Sequence, residues 1–317
     1  MAKGQKFKYA ADTSDYVLAL AGSEASSAQK QKMSKAAHVT SLIITYLFLA
    51  FMGIIIVFPF YWMIITSLKT GAEINRLQQT FFPHVIRWAN YSEAFQKLDF
   101  VTLLRNTLLV GILSTLGTLI TTILAAYAFA RLNFKGRNLI FVILLGSMMI
   151  PGEMMVISNY ISVSRFGWTS SSNIPGNFAA MIVPFWVSVF YIYLLRQNFK
   201  QIPNELYLAA KVDGKSDWEF LWKVMVPLAM PTLTTIFILK LMGAWNSYVW
   251  PNLIASGNKK VYLVTNGLRE TFSDATNPDI YGAQMAATVV VTVPLLLLFI
   301  FFRKYIMRGV GRAGIKG

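Results

Sequence analysis

The chain has 317 residues, of which 55% are hydrophobic and only 14% are charged, against roughly 25% charged residues in soluble globular domains. This composition excludes an ordinary soluble domain, and the absence of cysteine excludes thiolate chemistry, cysteine–metal sites and disulfides. The net charge of +15 alone would suit nucleic acid, but the distribution of the basic residues favours a membrane protein, and we predict no nucleic-acid partner.

Residues 1–39 are predicted to be a polar cytoplasmic leader that precedes a membrane domain at residues 40–317. The leader is rich in Ala, Ser and Lys, and it lacks the short apolar core and cleavage site of a secretory signal peptide. Its few apolar residues leave two interpretations open, which are a disordered tail and a short amphipathic helix at the membrane surface.

Six stretches of residues 40–317 are long and apolar enough to be membrane helices. Three carry no charge over 28, 25 and 23 residues, more than the roughly 20 that span a bilayer core: Ser41–Leu68, Asn106–Ala130 and Ile280–Phe302. The other three candidates are Asn138–Ser164, Asn177–Leu195 and Val224–Pro251. Lipid offers no hydrogen bonds to the backbone, so helices are the natural spanning form. The sequence therefore predicts an all-α membrane protein with six transmembrane helices.

The basic residues predict how these helices are oriented, because Lys and Arg are retained on the cytoplasmic side of a membrane. With the N-terminus inside, six basic residues lie in 1–39, three in 131–137, five in 196–223 and five in 303–317, against nine in the segments on the opposite side. Both termini are therefore predicted to be cytoplasmic.

The loop at residues 198–230 is the longest polar interruption between hydrophobic blocks, and its ordered part is Ile202–Pro227. Pro203–Val212 is predicted to be a helix, and Gly214 permits a left-handed turn. Asp217–Val226 is predicted to be a second helix, with Asp217 as its cap. Its amphipathic stripe is formed by Trp218, Leu221, Trp222 and Met225. Two interpretations stay open: a surface that a partner protein grips, or a loop that packs on its own bundle.

No motif in the chain predicts catalysis, a metal site or a cofactor. His38 and His84 lie on opposite sides of the membrane in the predicted topology, so they cannot share a site. Ala209–Ser216 (AAKVDGKS) loosely matches a phosphate loop, but a helical pattern precedes it where a buried strand is needed. Gly309–Gly314 (GVGRAG) matches a dinucleotide pattern too close to the end of the sequence for a βαβ unit.

A transporter without energy-coupling chemistry of its own either uses an ion gradient or borrows an ATPase. Ion-coupled carriers usually keep ionisable residues within the membrane, and only Glu153 and Lys240 interrupt the predicted spans. A partner ATPase accounts for more features of the sequence than coupling to an ion gradient does. An ion-coupled secondary transporter remains the alternative, followed by an enzyme and by a membrane-scaffold protein.

The 198–230 loop resembles the EAA–G–I-x-L-P signature of ABC-transporter permease subunits. Ala209-Ala210, Gly214 and Val224-x-Val226-Pro227 match its spacing. The segments IPNELYLAAKVDG, GAWNSYVWPNL and RKYIMRGVGRAGIKG look like the MalG-type branch, which imports carbohydrates with an extracytoplasmic binding protein. The resemblance covers about residues 40–317. One departure is Leu208, which stands where the family has Glu, while Glu205 lies a turn earlier.

The resemblance implies a MalG-like permease fold in the plasma (inner) membrane of a prokaryote. The implied partners are a second, MalF-like permease subunit, two ATP-binding cassette ATPase subunits and an extracytoplasmic sugar-binding protein. Closure of the ATPase pair would push the 198–230 loop and swing the permease from inward- to outward-facing. The implied ATPase-coupling residues are Glu205, Ala209, Ala210, Gly214, Asp217 and Pro227.

The resemblance also gives two further expectations. The outer loop at residues 252–279 is expected to approach the binding protein through Tyr262, Asn266, Arg269 and Asn277. The candidates for the translocation path are Lys240, Trp245, Asn246 and Tyr248, whose amide and aromatic groups suit sugar hydroxyls and C–H faces.

Overall fold

The computed structural model describes residues 35–273 and 280–311, with side chains described at 39–273 and 280–303. Most of the predicted leader, Asn277 and residues 312–317 of the predicted tail (the basic cytoplasmic segment 303–317) lie outside these ranges. The chain divides into two units, Met1–Trp62 and Met63–Gly317. The second unit contains both candidate sites described below.

Every regular element in the described ranges is helical. The α-helices are α1 (Lys35–Ser67), α2 (Gly71–Ile74), α3 (Ala89–Lys97), α4 (Phe100–Arg131), α5 (Arg137–Ser147), α6 (Val156–Arg165), α7 (Ile174–Ile182), α8 (Val189–Gln201), α9 (Asn204–Val212), α10 (Asp217–Phe220), α11 (Val226–Leu228), α12 (Met230–Trp245), α13 (Val249–Ala255), α14 (Val264–Thr271) and α15 (Ile280–Gly311). Short 3₁₀ turns lie at Gly152–Met155, Val183–Phe185 and Lys259–Val261, and a π-helical turn lies at Leu221–Met225. The predicted all-α class is confirmed for this part of the chain.

Three helices are long and apolar enough to cross a membrane without a break. They are the parts of α1, α4 and α15 at Val39–Ser67, Phe100–Arg131 and Ile280–Arg303, with mean hydropathies of 2.6, 2.1 and 2.6. They coincide with the three uncharged runs of the sequence. Helix α15 continues to Gly311, so the described start of the predicted tail is helical.

The other three predicted spans are not continuous helices, as the sequence had suggested, but bent pairs. The pairs Arg137–Ser147 + Gly152–Arg165, Ile174–Phe185 + Val189–Gln201 and Asp217–Leu228 + Met230–Trp245 bend by 87°, 45° and 76°. Proline lies at or beside each break, as Pro151, Pro184 and the pair Pro227 and Pro231. A proline ring removes a backbone donor and clashes with the preceding turn, which accounts for the interruptions.

Side chains from neighbouring helices satisfy the backbone at the 45° break between α7 and α8. The Phe185 carbonyl accepts hydrogen bonds from Thr118 Oγ1 at 2.8 Å and from Lys240 Nζ at 3.1 Å. The next carbonyl, of Trp186, accepts from Thr121 Oγ1. A carbonyl freed in an apolar environment is costly unless a donor replaces its helical partner. The polar face of α4 therefore stabilises an interruption that the hydropathy pattern does not reveal.

We expect Gly117→Ala to destabilise this junction. A Cβ at Gly117 would overlap the indole ring of Trp186, which lies against α4 next to the break. Forcing an extra methyl group into a filled space typically costs about 1–3 kcal/mol. The measurement is thermal unfolding of the purified protein in detergent. The matched control is Gly146→Ala, because a Cβ there meets nothing within 4 Å; equal unfolding temperatures for the two variants would contradict the prediction.

Helix α4 runs through both main buried clusters of the second unit. One cluster joins it to α3, α7, α13, α14 and α15 around residues such as Leu103, Val110 and Leu263. The other joins it to α8, α10 and α12 around Tyr127, Phe199 and Phe220. Because the second cluster includes residues 220–236, the 198–230 loop is anchored in the helical bundle rather than detached from it.

Candidate functional site

The 198–230 loop folds as two helices joined at Gly214, as predicted from the sequence. Helix α9 ends in two capping hydrogen bonds, from Gly214 N to Lys211 O at 3.1 Å and from Lys215 N to Ala210 O at 2.8 Å. This pair of bonds is a Schellman motif, which requires a left-handed residue at its centre. Gly214 has φ +71°, and a Cβ there would meet nothing within 4 Å. Backbone conformation, not crowding, therefore calls for glycine.

The prediction that Asp217 caps the second helix is wrong. Ser216 is the N-cap, and its side chain accepts a hydrogen bond from the backbone N–H of Glu219. Serine in this position has the extended backbone and short oxygen-bearing side chain that a cap requires. The Asp217 carboxylate is left free to bind side chains of other helices.

Asp217 joins three helices through a single carboxylate oxygen. Its Oδ1 accepts hydrogen bonds from Tyr127 Oη at 3.0 Å and Tyr207 Oη at 2.9 Å. Lys211 Nζ lies 3.2 Å from the same oxygen. Tyr127 belongs to α4, whereas Tyr207 and Lys211 belong to α9, so Asp217 ties the exposed helix to a long span. Sequence reasoning missed both tyrosines, and Tyr127 gives no local signal because it lies 90 residues away.

Burial and the Asp217 carboxylate determine the pKa shifts of Tyr207 and Lys211. Burial raises the pKa of the Tyr207 hydroxyl above its usual range, and the adjacent Asp217 raises it further. The hydrogen bond to Asp217 raises the pKa of the Lys211 ammonium. Both partners therefore keep their protons, and their role as donors, across the physiological pH range.

A second connection is made by Arg131 at the end of α4. Its Nη2 donates to Phe199 O at 3.0 Å and also to Ile202 O, and its Nη1 donates to Asn204 Oδ1 at 3.2 Å. These bonds satisfy the last carbonyls of α8 and hold the start of α9. The sequence indicates only that Arg131 belongs to the basic 131–137 turn, and the structure adds its contacts with the end of α8 and the start of α9.

The predicted amphipathic stripe is only half buried. Leu221 and Met225 are buried, whereas Trp218 and Trp222 are 61% and 38% exposed. The π-helical turn at Leu221–Met225 changes the angular spacing of the residues, so the four side chains do not share one face. The two tryptophans instead contact each other edge to face, with ring centroids 5.6 Å apart.

The remaining predicted coupling residues lie mainly on the surface. Glu205, Ala209 and Pro227 are exposed, and Ala210 is partly buried against the second cluster. Around them are exposed apolar side chains, namely Leu206, Leu208, Val212, Trp218 and Trp222. Clustered apolar exposure of this kind marks surfaces that bind another protein. One side of helix α9 therefore contacts the helical bundle, and its other side is exposed.

The four translocation-path candidates do not form one site. Only Lys240 lines a cavity of about 250 Å³ between α4, α7, α8 and α12. Trp245 is buried, and its Nε1 has no hydrogen-bond partner in the described structure. Asn246 is exposed at the end of α12, and the Tyr248 ring lies 4.8 Å from the Arg269 guanidinium. Trp245, Asn246 and Tyr248 therefore lie beside the cavity without lining it.

The region expected to be an outer loop is largely folded into the bundle. Residues 252–273 contain α14 and parts of the first buried cluster. Tyr262 and Asn266 are 6% and 1% exposed, so neither is available to a docking protein in this structure. Arg269 is exposed but stacks on Tyr248, and Asn277 lies outside the described residues.

Comparisons with known proteins agree on the kind of protein. The chain is 29% identical to the arabinooligosaccharide transport system permease protein AraQ of Bacillus subtilis, covering 86% of this chain and 94% of that one. It is 32% identical to the sulfoquinovosyl glycerol transport system permease protein SmoH of Agrobacterium fabrum, covering 82% and 89%. A chain in the crystal structure of a bacterial ABC transporter that imports the acidic polysaccharide alginate has the same fold, with TM-score 0.74, 24% identity and coverage of 86% and 98%.

The family of the chain is shown by the match to a family model. The model of the binding-protein-dependent transport system inner membrane component matches residues 117–312, which include α5 to α15 and the whole 198–230 loop. This region is more than half of the 317 residues. The chain therefore belongs to the family of inner membrane components of binding-protein-dependent transport systems, whose members are transport permeases and not enzymes.

Proposed function

We propose that this chain is the permease subunit of an ATP-driven carbohydrate importer and forms half of its translocation pathway. The carbohydrate cargo named for both relatives supports this assignment. The observation that carries the mechanism is the 198–230 loop, in which an exposed helix is tied by Asp217 and Arg131 to the long helix α4.

The loop is suited to transmit a push from an ATPase subunit. Helix α9 presents Glu205, Ala209 and its apolar neighbours to a partner, while the capped turn at Gly214 fixes the angle to α10. Glu205 stands one turn before the position of the family's glutamate, where this chain has Leu208, and it supplies the acidic group to the ATPase groove. A displacement of α9 then passes through Asp217 to α4 and through the second cluster to α8 and α12. The permease core would move between inward- and outward-facing forms in response.

Each bent pair of helices counts as one span in this proposal, which gives six spans with both termini in the cytoplasm. The asymmetric distribution of Lys and Arg supports this orientation. The family match and the bacterial relatives support localisation to the plasma (inner) membrane of a prokaryote. The leader 1–39 would then be cytoplasmic, and residues 40–317 would form the membrane domain.

The proposed complex contains a second, MalF-like permease subunit, two ATPase subunits and an extracytoplasmic sugar-binding protein. Ala209–Ser216 does not form a phosphate loop: it is the end of α9 and its cap, and a helix precedes it where a phosphate loop needs a strand. Uptake would therefore depend on partner subunits for ATP hydrolysis.

Reconstitution in liposomes tests this proposal. We expect the isolated chain neither to bind nor to hydrolyse ATP, and the complete complex with its binding protein to import carbohydrate only when ATP is supplied. Isothermal titration with ATP and uptake of labelled sugars are the measurements. Uptake by the isolated chain driven by an ion gradient would instead identify a secondary transporter.

A further inference from the structure

The cavity beside Lys240 combines features of a carbohydrate site with an unusual charge. Its volume of about 250 Å³ lies just under the roughly 300–1,000 Å³ of typical small-molecule pockets, so it suits about one sugar ring. Phe185, Tyr191 and Trp250 provide aromatic wall, and the Trp250 indole is fixed by a 3.0 Å hydrogen bond to Ala180 O. Aromatic walls held in place are suited to the C–H faces of sugars.

Lys240 is the only charged side chain among the described residues that line this cavity, and none of them is acidic. Its ammonium donates to Phe185 O at 3.1 Å and lies 5.4 Å from the centre of the Phe185 ring. Nowhere in residues 39–273 and 280–303 does a carboxylate form an ion pair with it. A lysine within a membrane segment is costly without a partner anion, so its retention points to a function.

Two further polar groups line the cavity without a hydrogen bond inside the described structure. The Tyr191 hydroxyl and the Ser247 Oγ have no protein partner there. An ammonium has three donor hydrogens, and the Phe185 carbonyl accounts for one of them. The cavity therefore offers a cation, two hydroxyls and an aromatic wall to a ligand.

A proton-relay role for Lys240 fits this environment less well. A relay needs a second group that titrates near neutral pH to receive the proton, and no carboxylate or histidine is among the described residues that line the cavity. A purely structural role, as donor to Phe185, would require only a neutral amide. Neither the relay role nor the structural role explains why the side chain at position 240 is positively charged.

We propose that this cavity binds the carboxylate of an acidic carbohydrate, such as a uronate residue, through Lys240. The inference rests on the proposed importer function and narrows its substrate class. The ammonium pairs with the sugar carboxylate, Tyr191 and Ser247 bind ring hydroxyls, and the sugar face lies against Trp250. A charge-assisted bond to the ammonium favours a carboxylate over a neutral sugar of the same shape.

The test is ATP-dependent uptake by the complete complex with its own binding protein. The probes are di- and trisaccharides of galacturonate, glucuronate and mannuronate, each compared with its galactose, glucose or mannose counterpart. We expect the wild-type complex to import the acidic sugars. Lys240→Gln should lower this uptake at least about tenfold, whereas uptake by Lys240→Arg should stay near the wild-type rate. Lys240→Gln keeps a donor for the Phe185 carbonyl, so it separates charge from structural support.

Lys135→Gln is the control for the loss of one positive charge, because Lys135 is exposed in the 131–137 turn and does not line the cavity. Co-purification with the partner subunits checks that each variant assembles. If wild type imports only neutral sugars, the acidic-substrate inference fails and the importer function stands. If it imports no carbohydrate at all, the importer function fails as well. If Lys240→Gln imports the acidic sugars as well as wild type does, Lys240 is not part of the binding site.

Discussion

We expect Gly214→Pro to abolish ATP-driven uptake while membrane insertion of the chain is retained. Proline holds φ near −65°, but the turn between α9 and α10 requires +71° at this position. The substitution also removes the N–H that bonds to Lys211 O. The exposed helix would then leave the bundle at a different angle and would not fit the ATPase. Uptake and ATPase co-purification are the measurements.

A series of substitutions at Gly214 with increasing backbone strain separates the effect of that strain on uptake from other effects. Gly214→Ala should cost about 1–2 kcal/mol, because a left-handed alanine is strained although its Cβ has open space. Gly214→Asn should lie closer to wild type, since asparagine tolerates this conformation. Uptake should therefore fall in the order Gly, Asn, Ala, Pro. A different order would show that the turn conformation is not what limits transport.

Gly167 provides a matched control on the opposite side of the proposed membrane topology. It has φ +70°, open space at the Cβ position and a similar capping bond, from Gly167 N to Ser164 O at 2.9 Å. Gly167→Pro should therefore strain its own turn without separating the ATPase from the permease. Loss of ATPase binding in both variants would mean that the effect of Gly214→Pro reflects general misfolding.

The turn at Gly214 was predictable because its signal is local. A glycine that follows a helical pattern favours a left-handed C-terminal cap, and no distant residue is needed to form it. The uncharged runs behind α1, α4 and α15 were predictable for a similar reason, since length and hydropathy are properties of a single stretch. These features needed no knowledge of which helices are neighbours.

The broken spans and the Asp217 contacts depend on tertiary neighbours. Pro184 signals a possible interruption, but the break is stable because Thr118 and Lys240, from two other helices, donate to the Phe185 carbonyl. The role of Asp217 likewise depends on Tyr127, which lies on a helix 90 residues away. A capping role for Asp217 was the best local interpretation, and Ser216, one residue earlier, fills that role instead.

The second large effect is expected for Asp217→Ala, which should reduce uptake more than tenfold while the ATPase remains bound. The variant removes the only oxygen that joins Tyr127 of α4 to Tyr207 of α9. Its cost in stability should be modest, about 1–2 kcal/mol, because the carboxylate is 42% exposed and the tyrosines lose one hydrogen bond each. The cost in coupling is larger, because the Arg131–Asn204 hydrogen bond is then the remaining polar link from α4 to α9 in the described structure. The ratio of sugar imported to ATP hydrolysed measures this directly.

Glu219→Ala is the matched control, since Glu219 lies on the same short helix and its carboxylate also has charged partners. Its carboxylate pairs with Lys215 at 3.7 Å and Lys223 at 2.8 Å, both within the 198–230 loop and exposed. Removing such solvent-exposed pairs has little effect on stability and breaks no link to a span. A double-mutant cycle with Tyr127→Phe tests the contact itself, because the two substitutions should be non-additive if Asp217 acts through Tyr127. Equal transport ratios for Asp217→Ala and Glu219→Ala would show that force reaches α4 by another route, with the Arg131 bonds to Phe199, Ile202 and Asn204 as the remaining direct connection.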